Sequence, residues 1–356
     1  MKRILIPLVA LGIVLAVVAA SASAKSQKSS ATAQACVLLP DKTSSVRYEL
    51  FDRPLLGAAF KRLGISNTIL NALGSATTQR SQADQCITNG AKVILVDALD
   101  SGTGASIEKA AAAKGVKTID YDRLVLGGKA SYYVSYDNVQ VGVTMAKGLI
   151  AALKANGNYS KHPVVAELNG GITDNNAKLF KEGYDKILHP LYASGTFKKA
   201  KSGDQWTDWD YNKGLTAFEQ MLAANGNNIQ ATIAANDNLA GAVVAALKAH
   251  KLSPIPVTGQ DATPQGVQYI LAGWQSGTVY KDIKAEANAA AKAAAQLIKG
   301  QKVTGVNAKT NNNVRNVPSI YLTPTWVTKK NYTLLFKAGA VKRSQVCIGV
   351  YKKYCK

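Results

Sequence analysis

Polar and aromatic side chains follow the predicted strands of this sequence, either directly or within the loops behind them. In an open parallel sheet, ligands bind beyond the carboxyl ends of the strands, so residues at these positions are expected to converge on one face. The set combines carboxylates, amides and cations with two aromatic rings. Its members are Arg47, Tyr48, Asp122, Arg123, Asp174, Asn176, Trp206, Asn236, Asp261 and Lys281.

These residue types suit a ligand that carries many hydroxyl groups. Each hydroxyl can donate and accept at once, and planar carboxylate, amide and guanidinium groups satisfy neighbouring hydroxyls in pairs. Aromatic rings cover the apolar C–H faces of a sugar ring. An unpaired buried polar group costs about 1–3 kcal/mol, so such a site would reject a misplaced hydroxyl. The set therefore indicates a sugar.

Each of these residues also has a plain structural interpretation. Asp174 could be a helix N-cap, and Asp237 is predicted to cap the helix that follows it. Arg47 and Lys281, taken alone, are typical of solvated surface charges. Trp206 could belong to the core, and its neighbour Trp209 more so. The joint placement after strands favours a site, because no single-residue interpretation explains it.

An enzyme would need a nucleophile with a base, or an acid and base pair. The histidines are His162, His189 and His250, and none adjoins the predicted site. The sequence contains neither G-x-S-x-G nor H-E-x-x-H. Asp174 and Asp261 have the residue type of glycosidase carboxylates, but their basic, amide-rich surroundings favour binding of a free sugar. We therefore predict a binding protein with no catalytic residue, cofactor or metal.

Short β-branched or apolar runs alternate with helical stretches from Cys36 onward, which predicts parallel sheets covered by helices. The first series of strands is Cys36–Pro40, Thr68–Ala72, Lys92–Ala98, Val116–Tyr121 and Tyr132–Ser135. The second is Val164–Leu168, a short strand near Lys199–Gly203, Ala231–Ala235 and Pro256–Gly259. The two series predict an α/β fold with two doubly wound, Rossmann-like lobes.

The amino terminus has the layout of a secretory signal. Lys2 and Arg3 precede an apolar run, and a small-residue stretch ends at Ala24, so residues 1–24 are predicted as a signal peptide and 25–35 as a flexible leader. An uncleaved anchor is the alternative, because the run approaches the ~20 residues of a membrane span. Export to the periplasm or the outer cell envelope argues against nucleic acid as the partner of a chain with net charge +21. The scattered lysines favour a solvated basic surface.

Four cysteines in an exported chain predict disulfides. Cys347 and Cys355 enclose a short loop and are expected to pair, which leaves Cys36 for Cys86. The sequence alone allows three connectivities. Metal binding is the weaker interpretation, because the cysteines form no C-x-x-C and lie near no histidine.

Several stretches resemble the D-xylose-binding proteins of ABC transporters, within the ribose-type, type I periplasmic binding proteins. The resemblance covers residues 36–327, and Asp174–Phe180 and Gly203–Trp206 carry its most specific part. The other stretches are Tyr121–Arg123, Ser135–Asn138, Asn236–Asp237, Gly259–Asp261 and Val279–Lys281. A tyrosine stands at Tyr48 where those proteins usually have tryptophan, and residues 341–356 have no counterpart in them.

The resemblance implies a monomeric exported protein that closes about a hinge on a monosaccharide and delivers it to a membrane permease. It places the sugar contacts on the residues named above, with Tyr48 and Trp206 sandwiching the ring and Asp122 orienting Arg123. A chemotaxis or histidine-kinase receptor, or a binder of ribose, arabinose, glucose or galactose, is the alternative. The tail is expected to be a disulfide-pinned loop, with docking to a membrane partner as the other interpretation.

The resemblance also implies three segments that cross between the lobes, near Asp137, near Thr278 and around Val303–Asn316. The expected division is 36–136 plus 278–305 for the first lobe and 137–277 plus 306–331 for the second. Residues 332–356 form the tail.

Overall fold

The computed structural model describes Met1 and residues 33–355. The predicted signal peptide, apart from Met1, and the leader up to residue 32 lie outside the described residues. Within the described part of the chain, no helix combines the length and the apolar character that a membrane span requires.

The strands form where β-branched and aromatic residues cluster, and the first of them begins at Ala35. In chain order they are β1 (Ala35–Leu39), β2 (Asn67–Asn71), β3 (Val93–Val96), β4 (Lys117–Tyr121), β5 (Tyr132–Tyr136), β6 (Val164–Asn169), β7 (Lys198–Trp206), β8 (Ala231–Ala234), β9 (Thr278–Tyr280), β10 (Ala308–Asn311), β11 (Asn316–Leu322) and β12 (Thr325–Val327). Strands β1, β3 and β8 are buried at every residue, as expected for parallel strands covered on both faces.

The longer helices begin at side-chain caps, such as Ser75 and Asp100, that accept a backbone N–H of the first turn. The helices are α1 (Arg53–Arg62), α2 (Ala76–Thr88), α3 (Ser101–Ala113), α4 (Asn138–Ala155), α5 (Asn175–Ala193), α6 (Tyr211–Ala224), α7 (Asp237–Ala249), α8 (Pro264–Ala272), α9 (Ile283–Ile298), α10 (Thr333–Lys337) and α11 (Arg343–Val346). A π-helical turn at Tyr48–Asp52 and 3₁₀ turns at Tyr159–Lys161 and Gly349–Tyr354 complete the set.

Two groups of strands carry the fold. The first sheet has the order β10-β11-β5-β4-β3-β1-β2 and is parallel except for the β10–β11 hairpin. Helices α1 and α9 cover one face of it, and α2 and α3 cover the other. The second group begins with the parallel sheet β7-β6-β8. Single bridges, Thr232 to Val257 and Gln260 to Val279, continue it to the antiparallel pair β9–β12. The predicted α/β class with two helix-covered parallel sheets is confirmed.

The strand pairing differs from the expected lobe division in one segment of each sheet. Residues 308–322, expected with the second lobe, extend the first sheet, because β11 pairs in parallel with β5 from Ser319 beside Tyr133. Strand β9, expected with the first lobe, pairs with β12 instead. The third crossing therefore lies between β11 and β12. It does not lie at residues 303–316, where the side chain of Asn312 accepts the N–H groups of Val314 and Arg315 and closes a hairpin.

Both predicted disulfides are present, Cys36–Cys86 between β1 and α2 and Cys347–Cys355 in the tail. The predicted strand Pro256–Gly259 is reduced to the single bridge at Val257, and β7 is longer than expected. Helix α7 is capped by the side chain of Asn236, which accepts the N–H of Leu239 at 2.9 Å. The predicted cap Asp237 is the first residue inside the helix.

Helices α4 and α5 cross at two glycines, Gly142 and Gly183. A Cβ added to Gly142 would collide with the carbonyl oxygen of Phe180, and one on Gly183 with that of Val139. The close approach matters for function, because α5 begins at the predicted site residues.

Gly142→Ala should lower the free energy of unfolding by about 1–3 kcal/mol, because backbone atoms cannot move aside as a flexible side chain would. Chemical denaturation monitored by circular dichroism measures the loss. Gly157→Ala is a poor control because that glycine has a positive φ. Gly57→Ala meets only a side-chain carbon at 3.8 Å and should cost far less. Equal losses at both positions would contradict the close crossing.

Candidate ligand site

A cavity lies between the two strand groups, beyond the carboxyl ends of their strands. Nine of the ten predicted site residues line it, although they come from loops far apart in the sequence. They are Arg47, Tyr48, Asp122, Arg123, Asp174, Asn176, Asn236, Asp261 and Lys281. These nine residues, chosen because they follow predicted strands, thus lie together in the structure.

The tenth residue, Trp206, is not among the cavity residues, and Trp209 lines the cavity in its place. Strand β7 ends at Trp206, and Asp208 and Trp209 then adopt left-handed backbone conformations with φ of 53° and 62°. This turn places the ring of Trp209 against Gly170. Nε1 of Trp209 donates to Oδ2 of Asp174 at 3.0 Å. Trp206 packs instead, half-buried, against the core of the second strand group. Trp209 is at the same time a buried residue of that core, so the expectation that it was the core residue of the two is confirmed, and it lines the cavity as well.

Arg47 precedes the π-helical turn and is 1% exposed. Its guanidinium donates twice to Asp52, at 2.9 and 2.8 Å, and once each to Asp122 and Glu286, both at 2.9 Å. An arginine has five N–H donors, so these bonds use four of them. Arg47 therefore acts mainly as a clamp that fixes Asp122 at the cavity, and it is not a surface charge.

Tyr48 is held between the same groups. Its hydroxyl donates to Oδ2 of Asp122 at 3.3 Å and accepts from Nη2 of Arg123 at 3.0 Å. The guanidinium carbons of Arg47 and Arg123 each lie 5.6 Å from the centre of its ring, within the range of a cation–π contact. Tyr48 thus contributes a fixed hydroxyl as well as a ring to the cavity wall.

The two strand groups meet across the cavity on one side through Asp122 and Arg123. Nδ2 of Asn176 donates to the carbonyl oxygen of Asp122 at 2.8 Å. Nε of Arg123 lies 3.4 Å from Oδ2 of Asp174. Asp174 also caps α5, because its Oδ1 accepts the N–H of Asn176 at 2.9 Å. Asp174 therefore caps the helix and lines the cavity with the same carboxylate.

On the other side, the loop after β1 meets α7 and the loop before α8. Oγ of Ser45 donates to Oδ2 of Asp261 at 2.8 Å, and Nδ2 of Asn236 donates to the carbonyl oxygen of Ser44 at 3.0 Å. These bonds connect residues that are 216 and 192 positions apart. The cleft is therefore bridged by direct hydrogen bonds at both ends.

Two buried acceptors in the cavity wall remain without a hydrogen-bond partner among the described residues, Oδ1 of Asp261 and Oε1 of Gln260. Nζ of Lys281 stands 3.7 Å from that oxygen of Asp261 and 3.4 Å from Asp122. Asp261 has a φ of 90°, a conformation that costs a non-glycine residue about 1–3 kcal/mol and that often marks a functional position. The wall thus offers free acceptors beside a fixed cation.

Burial by itself would raise the pKa of Asp122, but Arg47, Lys281 and Arg123 together hold that pKa well below its ordinary value. The carboxylate is therefore ionised throughout the physiological range. Burial, reinforced by Asp122 and opposed by Arg47, raises the pKa of Glu286 to about 8. Burial, with Asp122 nearby, likewise raises the pKa of Asp97 well above its ordinary range.

Glu286→Gln should flatten the dependence of stability on pH. The folded protein keeps a proton on Glu286 that the unfolded chain releases near pH 4.5, so its stabilisation is complete below that pH and is lost as the pH rises through about 8. Between these limits the free energy of unfolding of the unsubstituted protein should fall by about 1 kcal/mol per pH unit more than that of the variant. Urea titrations from pH 5 to pH 8.5 measure it. Parallel curves would contradict the raised pKa.

Sequence reasoning missed five cavity residues, Ser44, Ser45, Phe180, Trp209 and Gln260. Phe180 lies four residues beyond Asn176 on α5, so helical periodicity could have found it. Gln260 directly precedes Asp261, so its position after a predicted strand could have found it.

The cavity residues together can form paired hydrogen bonds with neighbouring hydroxyl groups and can cover the apolar faces of a ring. In the described part of the chain, no group of three or more His, Cys, Asp and Glu residues is placed to hold a metal ion.

Comparison with known proteins identifies relatives of both the sequence and the fold. The family profile described as "Periplasmic binding protein domain" matches residues 37–302. The D-xylose-binding periplasmic protein of Haemophilus influenzae is 37% identical over 282 residues, 79% of this chain and 82% of that protein. The protein of the same name from Escherichia coli K12 is 36% identical over 298 residues, 83% and 87% of the two chains.

Among solved structures, a carbohydrate transporter solute-binding protein from Chloroflexus aurantiacus, in complex with D-glucose, superposes with a TM-score of 0.81. It is 30% identical, and the alignment covers 88% of this chain and 97% of that one. The similarity therefore extends over nearly the whole of the described fold.

Proposed function

The chain belongs to the periplasmic binding protein family, and on this basis we propose that it captures one monosaccharide, D-xylose first of all, for the permease of an ABC transporter. The relatives at 36–37% identity are D-xylose-binding periplasmic proteins, and the chain covers more than four fifths of each. Exported sugar-binding proteins of this kind act outside the cytoplasm, in agreement with the amino-terminal sequence.

The pair of free acceptors, Oδ1 of Asp261 and Oε1 of Gln260, supports this proposal most directly. Buried polar atoms in folded proteins almost always have partners, so such atoms at a cavity wall are available to a ligand. Neighbouring donors on Lys281 and Arg123 and the ring of Trp209 supply the other contacts that a pyranose requires. A sugar presents adjacent hydroxyl groups and an apolar ring face, and the wall is complementary to both.

We propose the residue roles from the contacts in the cavity wall. We assign direct contacts with sugar hydroxyls to Asp122, Arg123, Asp174, Asn176, Asn236, Asp261 and Lys281. Tyr48 and Trp209 are assigned to the ring faces. Arg47 is assigned to orienting Asp122, with one N–H left for the ligand.

The proposed mechanism is closure of the two strand groups about the crossings after β5, β9 and β11. A sugar held by Asp122 and Arg123 on one side reaches Asp174 and Asp261 on the other only when the cleft is closed. The ligand therefore binds the closed conformation more tightly and shifts the equilibrium towards it. The closed surfaces are then recognised by the permease.

We further propose that the protein catalyses no reaction. Of the carboxylates that a glycosidase would use, Asp174 accepts from Trp209 and from its own helix, and Asp261 accepts from Ser45 through Oδ2 and faces Lys281 with Oδ1. Their partners position them as hydrogen-bond acceptors. A general acid would need a free, protonated carboxyl group at the scissile bond.

Calorimetric titration with xylose, ribose, arabinose, glucose and galactose tests the proposal. We expect the tightest binding for xylose and weaker binding for glucose, which adds a hydroxymethyl group to the same ring. No heat and no shift in unfolding temperature with any of the five sugars would overturn the monosaccharide proposal. Tighter binding of another sugar would overturn the assignment of xylose.

A further inference from the structure

The carboxy-terminal part of the chain has an unusual charge balance. No aspartate or glutamate occurs after Glu286, although 70 residues follow it. Eight lysine and arginine residues follow Val327. A surface built from this segment carries positive charge without acidic residues of its own to offset it.

The end of this segment is a loop that we call the tail loop, residues 347–355, closed by the Cys347–Cys355 disulfide. It is anchored on α8 of the second strand group. Nε2 of Gln268 donates to the carbonyl oxygens of Gln345 and Val346 at 3.1 and 3.2 Å. The ring of Tyr351 packs edge-on against that of Tyr269, with centroids 6.5 Å apart. The tail loop is therefore held in a defined position on the protein.

The outer side of the tail loop is apolar at its tip. Ile348 is 51% exposed and Val350 is 71% exposed, although both side chains are large and aliphatic. Neither residue is needed for the packing beneath, which Val346 and Leu335 supply from the buried side. Two large aliphatic side chains that are this exposed, only two positions apart in the chain, suit a surface that a partner or a membrane covers.

Cations and a tyrosine follow this tip in the chain. Lys352 and Lys353 follow it and are exposed. The ammonium groups of Lys353 and Lys329 lie 5.1 and 5.7 Å from the centre of the Tyr354 ring. Exposed aliphatic side chains, with lysines and a tyrosine close by in the chain, are the pattern of a segment that lies in a membrane–water interface.

We propose that the tail loop docks the protein on an anionic phospholipid surface. Ile348 and Val350 enter the headgroup region, and the lysines contact lipid phosphates. The charge of the segment is complementary to such a surface, and each lysine near an anionic bilayer strengthens binding. A soluble polyanion would match the lysines but would leave the aliphatic tip in water, so the exposed tip favours the bilayer. This role goes beyond sugar capture and is independent of it.

Sedimentation of the exported chain with vesicles tests the proposal. We expect binding to vesicles of phosphatidylcholine with one quarter phosphatidylglycerol, and much weaker binding to phosphatidylcholine alone. Lys352→Gln with Lys353→Gln should weaken binding about 30-fold. Ile348→Ser with Val350→Ser should weaken it by about tenfold or more.

A matched control removes the same two charges elsewhere. Lys198 and Lys201 are exposed on β7, so Lys198→Gln with Lys201→Gln should bind vesicles nearly as well as the unsubstituted chain. Unfolding midpoints check that all variants are folded. Equal losses in the control and the tail-loop variant would show that net charge alone acts, and would overturn the proposal. Unchanged binding after Ile348→Ser and Val350→Ser would point to a soluble polyanion and overturn it as well.

Discussion

Asp261→Ala is expected to weaken monosaccharide binding by about 10²–10³-fold while the protein remains folded. The substitution removes the free Oδ1 and the cation-facing carboxylate from the cavity wall. Hydrogen bonds to a charged group contribute about 1.5–3 kcal/mol each, and two of them in the lower part of that range account for this loss. Isothermal calorimetry with xylose measures the affinity, and thermal unfolding measures the stability.

Two further variants separate the contributions of Asp261. Asp261→Asn keeps an acceptor and removes the charge, so its loss should be intermediate. Ser45→Ala removes the same hydrogen bond across the cleft but leaves the carboxylate in place, so its loss should be far smaller than that of Asp261→Ala. If Ser45→Ala and Asp261→Ala weakened binding equally, Asp261 would act by joining the strand groups and not by contacting the sugar.

The second large effect is expected at Trp209. Trp209→Ala should lower affinity by about 10²-fold or more, because it removes a ring from the cavity wall and frees Asp174 from its N–H donor. Trp206→Ala should leave affinity within a few-fold of the unsubstituted value. Fluorescence or calorimetric titration of the two variants compares the neighbouring tryptophans directly.

Stability has to be controlled in this comparison, because Trp209 is also a core residue whose truncation costs about 3–5 kcal/mol. Trp209→Phe keeps an aromatic face but removes the N–H group and part of the ring area, so it should retain part of the affinity. A Trp206→Ala protein that no longer binds sugar, beside a Trp209→Ala protein that does, would restore the original assignment of Trp206.

The difference between the two tryptophans shows what the sequence can predict. The βαβ order and the strand-end rule place a side chain to within a loop, and that sufficed for Asp122, Asn236 and Asp261. The direction of Trp209 depends on left-handed backbone at two successive non-glycine residues, Asp208 and Trp209. Tertiary contacts impose that conformation, and nothing in the types of these two residues requires it.

The clamp around Arg47 had a different reason to escape prediction. Arg47 and Glu286 are 239 positions apart, and neither carries a local signal of burial. Pairing of this kind depends on how α9 packs beside the π-helical turn, and no periodicity within either segment encodes it. The edge hairpin β10–β11 was missed for a similar reason, since its place in the first sheet is decided by its pairing with β5.

The hydrogen bonds that span the cleft, from Ser45 to Asp261 and from Asn236 to the Ser44 carbonyl, have a thermodynamic consequence. They stabilise the closed conformation even without the ligand. The measured dissociation constant equals the intrinsic dissociation constant of the closed conformation divided by the fraction of molecules that are already closed. Because the first of these bonds is made by a side chain, evolution can retune the affinity of this protein at Ser45 and leave every group assigned to the sugar, and hence its selectivity, unchanged.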